Sequence, residues 1–271
     1  MKKRKRLKKK YSFLLTTLFL VGCVTFLLWD LANSQEGESA ASAQTLMTDA
    51  AYEADEMQEA DETSIAEANA ILQSSNLLSA SGEDLAADLD ELNAAYPDQL
   101  GFVLINEQTG EAITTNESRI FTSASLYKLF LTYAILEQVD AGVLSLQDQM
   151  ADGATIDDYL TSTITVSANE PAKELAHLIG WENIETFIHE QGFVSTSFNP
   201  YLEYDGIYYN GDLETTPAEV AFLLERLLEG ELLSEASTKY FLGLLGNQQL
   251  VYALNTGLSS DVTFAHKTGL L

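Results

Sequence analysis

Ser125 and Lys128 stand three residues apart in T-S-A-S-L-Y-K-L-F, where a stretch of helical apolar spacing begins. On a helix, positions i and i+3 share a face. A serine at a helix N-terminus lies near free backbone N–H groups and the positive end of the helix dipole. A neighbouring lysine can take the serine's proton if burial or a second cation keeps its amine neutral. Such a pair is an activated nucleophile. The spacing alone is weak, arising about once by chance in a chain of this length. The plain alternative is a surface lysine on an amphipathic helix.

The scarcity of lysine sharpens the pattern. After residue 10 there are four: Lys128, Lys173, Lys239 and Lys267. One completes S-x-x-K. Another opens Lys267-Thr268-Gly269, a triplet expected in fewer than about one in ten chains of this size. Lys173 and Lys239 carry no motif and read as solvated helix positions. A third group, Ser167-Ala168-Asn169, precedes Pro171 in V-S-A-N-E-P. Alternate residues of an extended loop face the same way, which would turn Ser167 and Asn169 into one cleft. The competing reading makes Asn169 the cap of the helix that holds Pro171. The one cysteine, Cys23, excludes an intrachain disulfide. His177, His189 and His266 lack metal-ligand spacing, so neither metal nor cofactor is expected.

The elements that must position these groups follow from periodicity. Leu85, Leu89 and Leu92 predict a helix over 83–95, ended by Pro97. Leu100–Asn106 is a strand, 106–110 a turn, and Ala112–Thr115 a short return strand. Leu126, Leu129, Phe130, Tyr133, Ala134, Leu136 and Val139 give the nucleophile's helix a broad apolar face, closed by Gly142. Residues 171–179 and 181–191 read as two short helices, and 192–214 as an aromatic, irregular loop. Thr216-Pro217-Ala218-Glu219 is a helix start, with Thr216 as N-cap, Pro217 at N1 and Glu219 completing a capping box. Leu233–Leu245 is a further helix, and 262–271 begins a strand. Strands flanking a helical middle predict an α+β architecture with an all-helical subdomain.

The order S-x-x-K, S-x-N, K-T-G, with I-F-T-S-A-S-L-Y-K-L-F, T-I-T-V-S-A-N, G-D-L-E-T-T-P-A-E-V and F-A-H-K-T-G around it, resembles the penicillin-recognising serine hydrolases, and among them the class A β-lactamases. The resemblance spans residues 83–271. It implies an antiparallel sheet with a helical subdomain. It also implies that Ser125 attacks a lactam or peptide carbonyl and forms an acyl-enzyme. Lys128 would be the base or part of the proton relay. Ser167 would pass a proton to the departing nitrogen, and Asn169 would bind the substrate's amide side chain. Lys267 would hold the substrate carboxylate and keep Lys128 neutral. Thr268 would bind the same carboxylate, with Gly269 in the substrate-binding strand. The backbone N–H groups of Ser125 and Leu270 would form the oxyanion hole, worth about 10²–10³ in rate per donor. The implied partner is a β-lactam or a peptidoglycan-derived amide, taken by a monomer.

The chain departs from the family's pattern in three places. Ala168 stands at the centre of the usual S-D-N. The E-x-x-L-N stretch, whose Glu activates the deacylating water, is absent from N-P-Y-L-E-Y-D-G-I-Y-Y-N-G-D, where Glu203 and Asp205 are the nearby acids. That predicts acylation more strongly than turnover, the behaviour of a penicillin-binding protein or D,D-peptidase. Finally, the sequence given stops two residues after Gly269, where the family continues with two strands and a helix. The expected sheet then holds a hairpin and an edge strand with nothing between them. Residues 262–271 would lack a ladder partner, and the domain would be unstable.

The charge is lopsided. Eight of the 14 Lys and Arg lie in the first ten residues, leaving six against 41 acidic residues in 11–271. A body that acidic repels nucleic acid phosphates and an anionic lipid surface. Residues 1–11 read as a basic cytoplasmic tail. Residues 12–29 carry no charge and have about the minimum length for a spanning helix, so 12–31 reads as a signal-anchor with the domain outside. Two other fates fit this segment. One is a signal peptide cleaved near Ala32-Asn33-Ser34. The other is a lipobox, Leu20-Val21-Gly22-Cys23, with Cys23 lipidated. Residues 32–82, rich in Ala, Glu, Ser and Asp, read as a solvated stalk before a catalytic domain at 83–271.

Overall fold

The computed structural model describes residues 14–20, 23–27, 82–96, 99–107, 109–198, 213–250 and 264–270. The basic tail, the stalk up to residue 81, and Glu203 and Asp205 lie outside the described residues. The helix that follows Ser125 is the centre of the fold. A 3₁₀ turn, Ala124–Leu126, runs into α2, Tyr127–Asp140. (The preceding helix α1 is Gly82–Ala95.) Every residue from Tyr127 to Leu136 is buried. A helix apolar on one side would lie at the surface, whereas one buried all round must be surrounded. Around it stand α3 (Ile156–Thr165), α4 (Asn169–Ile179), α5 (Trp181–Glu190), α6 (Pro217–Leu228) and α7 (Glu235–Gly246). Leu129, Phe130, Leu131, Ile135, Leu160, Leu175, Ile184, Leu224 and Phe241, all fully buried, belong to one core.

The helix α3 has no counterpart in the sequence reading above. Its start is fixed by a reciprocal cap. Thr155 accepts from the Asp158 N–H, and the Asp158 carboxylate accepts from the Thr155 N–H. The T-x-x-D spacing was the available signal. At the far end of α2, Asp140 accepts from the Ser234 N–H and from the hydroxyls of Ser234 and Ser237, each at 2.6 Å. These bonds tie the central helix to the first turn of α7.

The main sheet has four antiparallel strands in the order β2-β1-β3-β4: β1 Leu14–Leu20, β2 Cys23–Leu27, β3 Leu100–Asn106 and β4 Glu111–Thr115. The hairpin β3–β4 and the helix α1 fall where the sequence predicts them. The N-terminal apolar run does not. Within the signal-anchor expected over 12–31, Leu14–Leu20 and Cys23–Leu27 are two strands, with Leu18 opposite Phe102 and Leu20 opposite Leu100. A short uncharged run rich in Thr, Phe and Val suits either state by pattern alone. The unpaired groups of β3 supply its hydrogen-bond partners. That side of β3 is therefore occupied, contrary to the expectation of an empty place. No helix among the described residues is long and apolar enough to cross a membrane. Residues 264–270 form no strand, only single bridges at Ala265 and Gly269. A second, two-stranded sheet pairs β5 (Phe121–Thr122) with β6 (Glu214–Thr215).

Candidate active site

Ser125 lies in the 3₁₀ turn, on the way into the core, and is 9% exposed. The turn is held from behind. Ser123 donates its N–H to the Leu213 carbonyl at 2.6 Å, and Leu126 donates back to the Ser123 carbonyl at 2.9 Å. The residue before Ser125, Ala124, has φ 44°. A left-handed alanine costs about 1–3 kcal/mol and persists only where its surroundings impose it. Ser167, at φ 61°, is a second such residue in the same site. Nothing in the sequence marks either one, since neither alanine nor serine favours that region.

Lys128 is fully buried one turn on from Ser125. Its amine is 3.0 Å from Ser125 Oγ, 3.3 Å from Ser167 Oγ and 2.7 Å from Asn169 Oδ1, and it donates to the Ser167 carbonyl. Two of these partners, the carbonyl and Oδ1, can only accept. The other two are hydroxyls, which give or take a proton. A neutral amine fits that set, with two N–H bonds for the fixed acceptors and a lone pair for a hydroxyl proton. The competing reading of Asn169 is thereby decided. The side chain of Asn169 goes to Lys128, while Ala168 takes the cap position of α4 with no side-chain bond.

Lys267 arrives from the other end of the domain. It too is fully buried, and its amine donates to Ser167 Oγ and to the Thr268 carbonyl, both at 2.7 Å. Burial first, and the charge of Lys128 second, push its pKa well below the usual lysine range. Both amines reach one hydroxyl, so they lie within about 6 Å of each other. At an effective dielectric near 20, two like charges at that distance repel by about 3 kcal/mol. The site therefore favours one proton fewer than two lysines would ordinarily hold.

The segment that carries Lys267 can come this close because of Gly269. A Cβ there would stand 3.3 Å from the Ala124 Cβ and 3.4 Å from the Ser123 carbonyl oxygen. Leu270 follows directly, half-buried. Thr268 is 1% exposed, and its Oγ1 has no hydrogen-bond partner among the described residues. A buried hydroxyl left so is costly unless something else binds it. His266, 2% exposed, places Nε2 at 2.9 Å from the Leu250 carbonyl, so Nε2 carries the proton. Its ring stacks on Phe264 with centroids 4.3 Å apart.

Ser125, Lys128, Ser167, Asn169 and Lys267 are thus joined in one hydrogen-bonded cluster, with Thr268, Gly269 and Leu270 alongside. Sequence reasoning missed the support beneath it. Tyr127, between Ser125 and Lys128, meets the rings of Trp181 and Phe198 at 6.1 and 5.9 Å, and these two meet each other at 6.0 Å. Aromatic residues spread over 72 positions give no local signal of meeting. Among the described residues no group of three or more His, Cys, Asp or Glu is placed to hold a metal ion.

A sequence model of the Beta-lactamase enzyme family matches residues 84–271. Among solved structures, the chain is similar to a beta-lactamase from Xanthomonas campestris pv. campestris, with 27% identity and a TM-score of 0.60 over 69% of this chain and 78% of that one. It is similar to an ancestral class A beta-lactamase, with 25% identity and a TM-score of 0.58 over 68% of this chain and 79% of that one. A beta-lactamase from Sphaerobacter thermophilus matches at 25% identity and a TM-score of 0.52, over 61% and 69% of the two chains.

Proposed function

Because the chain belongs to the Beta-lactamase enzyme family, we propose that it is a serine hydrolase acylated at Ser125 by β-lactams or related cell-wall amides. The observation that carries this reading is the hydroxyl of Ser167 held between two buried amines, one of which also meets the nucleophile. Lys128 takes the proton of Ser125 as Oγ adds to the carbonyl carbon. The negative charge that forms on the carbonyl oxygen is met by the N–H groups of Ser125 and Leu270. As the carbon–nitrogen bond breaks, Ser167 gives its proton to the departing nitrogen and recovers one from Lys128. Lys267 and the hydroxyl of Thr268 bind the substrate carboxylate, and Asn169 binds the amide side chain.

Labelling with a fluorescent penicillin tests the reading. The wild type should form a covalent adduct and Ser125→Ala should form none; an equally labelled variant would overturn the assignment. Hydrolysis completes the cycle only if a water is activated on the acyl-enzyme. The loop sequence lacks the family's E-x-x-L-N stretch, which favours a second reading, acylation with little turnover, as in a penicillin-binding protein or D,D-peptidase. Nitrocefin hydrolysis selects the first reading. A stable adduct selects the second, and release of D-Ala from a muropeptide identifies the peptidase.

We place this domain outside a cell membrane on the strength of eight cations followed by an uncharged run. As a signal-anchor, residues 12–31 would span the bilayer in place of β1 and β2. Protease added to intact cells should then remove the domain; protection from the protease would refute the location.

A further inference from the structure

We propose that Glu219 is a positioning residue for the acylation site, acting through a hydrogen-bonded clasp instead of the helix cap its sequence suggests. This inference rests on the function proposed above. In T-P-A-E, Glu219 occupies the position whose carboxylate would turn back to the Thr216 N–H. Half of that cap forms, since Thr216 Oγ1 accepts from the Glu219 N–H at 3.1 Å. The carboxylate goes elsewhere. Oε1 accepts from the Ser195 N–H at 2.7 Å, and Oε2 from the Thr196 hydroxyl at 2.6 Å. The carboxylate sits in the first turn of α6, where the helix dipole favours negative charge.

From Glu219 two routes lead to the nucleophile. Thr196 Oγ1 is 2.8 Å from Thr215 Oγ1, and both residues are fully buried. Ser197 and Glu214 exchange backbone bonds at 2.9 and 3.2 Å. Thr215 pairs with Phe121, Glu214 pairs with Thr122, and Leu213 accepts from Ser123. That route ends two residues before Ser125. The second runs through Phe198, whose buried ring meets Tyr127 edge-on, two residues after Ser125. Both sides of the nucleophile are thus fixed by segments that Glu219 holds together.

The charge of Glu219 also sets the polarity of the clasp. A carboxylate only accepts, so Thr196 must give it its proton. Thr215 then gives its proton to Thr196. Glutamine has the same shape but turns an NH₂ group toward Thr196. Thr196 must then direct its proton at Thr215, and the buried Thr215 proton loses its acceptor. Glu219→Gln therefore loosens the clasp without removing volume.

Two measurements on the full chain decide the proposal. The first is the rate of Ser125 acylation by a fluorescent penicillin, read as a function of concentration. Glu219→Gln should lower the saturating rate about tenfold, in keeping with the sensitivity of reactions to small misplacements. Half-saturation should stay within about twofold, because the groups assigned to the carboxylate are not on either route. The second is amide hydrogen exchange. Ser123 and Leu126 should exchange faster in Glu219→Gln at unchanged melting temperature. Glu219→Asp, which keeps the charge, should restore part of both. Unchanged exchange at Ser123 and Leu126 in Glu219→Gln would overturn the proposal, and so would an unchanged saturating rate. If the wild type takes no label, the functional reading falls, and the exchange measurement alone still decides whether the clasp holds the nucleophile's turn.

Discussion

Lys267 donates to the hydroxyl of Ser167 at 2.7 Å across 100 residues of chain. This bond closes the site, because it joins the K-T-G segment to the loop that also holds Lys128. Lys267→Ala should therefore reduce acylation by more than about 100-fold, the scale of losing a charge-stabilising donor from a dry site. The loss should shrink for a lactam whose carboxylate is esterified, since one task of Lys267 is then absent. Equal losses with acid and ester would remove carboxylate binding from its role.

The base and the bare positive charge can be separated at position 128. Arginine is permanently charged and cannot accept the serine proton. Lys128→Arg should lower the acylation rate by about 10²–10⁴, the usual contribution of a positioned base. Stopped-flow acylation of a folded variant at more than a tenth of the wild-type rate would show that Lys128 is not the base.

Protonation of His266 should drive the acid sensitivity of the fold. Burial first, outweighing the hydrogen bond to the Leu250 carbonyl that favours the proton, and with the charge of Lys267 adding to it, brings its pKa from 6.5 down to about 4. The unfolded chain thus binds a proton that the folded chain refuses. Stability is unaffected above pH 6.5 and declines as the pH falls from 6.5 to about 4. The decline amounts to about 3 kcal/mol at 1.36 kcal/mol per unit. His266→Gln, which can keep an N–H for Leu250, should flatten that part of the curve. Denaturant melts at pH 7 and 4.5 that fall equally in both proteins would refute this.

Glu107 runs the other way. Burial, then the charges of Glu225 and Glu229, raise its pKa above 4.5, and its Oε1 is buried with no hydrogen-bond partner among the described residues. The folded state holds this proton more tightly than the unfolded state. Its stabilising effect is present at low pH and lost as the pH rises through the folded pKa. Glu107→Gln should melt above the wild type at pH 7. The two should converge near pH 4. A variant less stable at pH 7 would contradict the assignment.

The cluster around Ser125 was legible because chemistry forced rare residues into fixed spacings. Four lysines after residue 10 made two of them conspicuous. The helices α2, α6 and α7 and the hairpin β3–β4 were legible from period and caps. What stayed hidden has no local code. The left-handed Ala124 and Ser167 are imposed by tertiary contacts. The destination of the Glu219 carboxylate depends on Ser195 and Thr196, 24 and 23 residues away. The N-terminal apolar run was ambiguous in kind, since period alone does not separate a short buried helix from paired strands.

The burial of Lys128 and Lys267 has one more consequence. Two amines in the middle of a close-packed core oppose the fold that encloses them, and apolar replacements of similar volume are often neutral or stabilising. Under relaxed selection, a lineage of this protein would gain robustness by exchanging either lysine for methionine. Its chemistry would disappear before its architecture did, leaving descendants that are sturdier and inert.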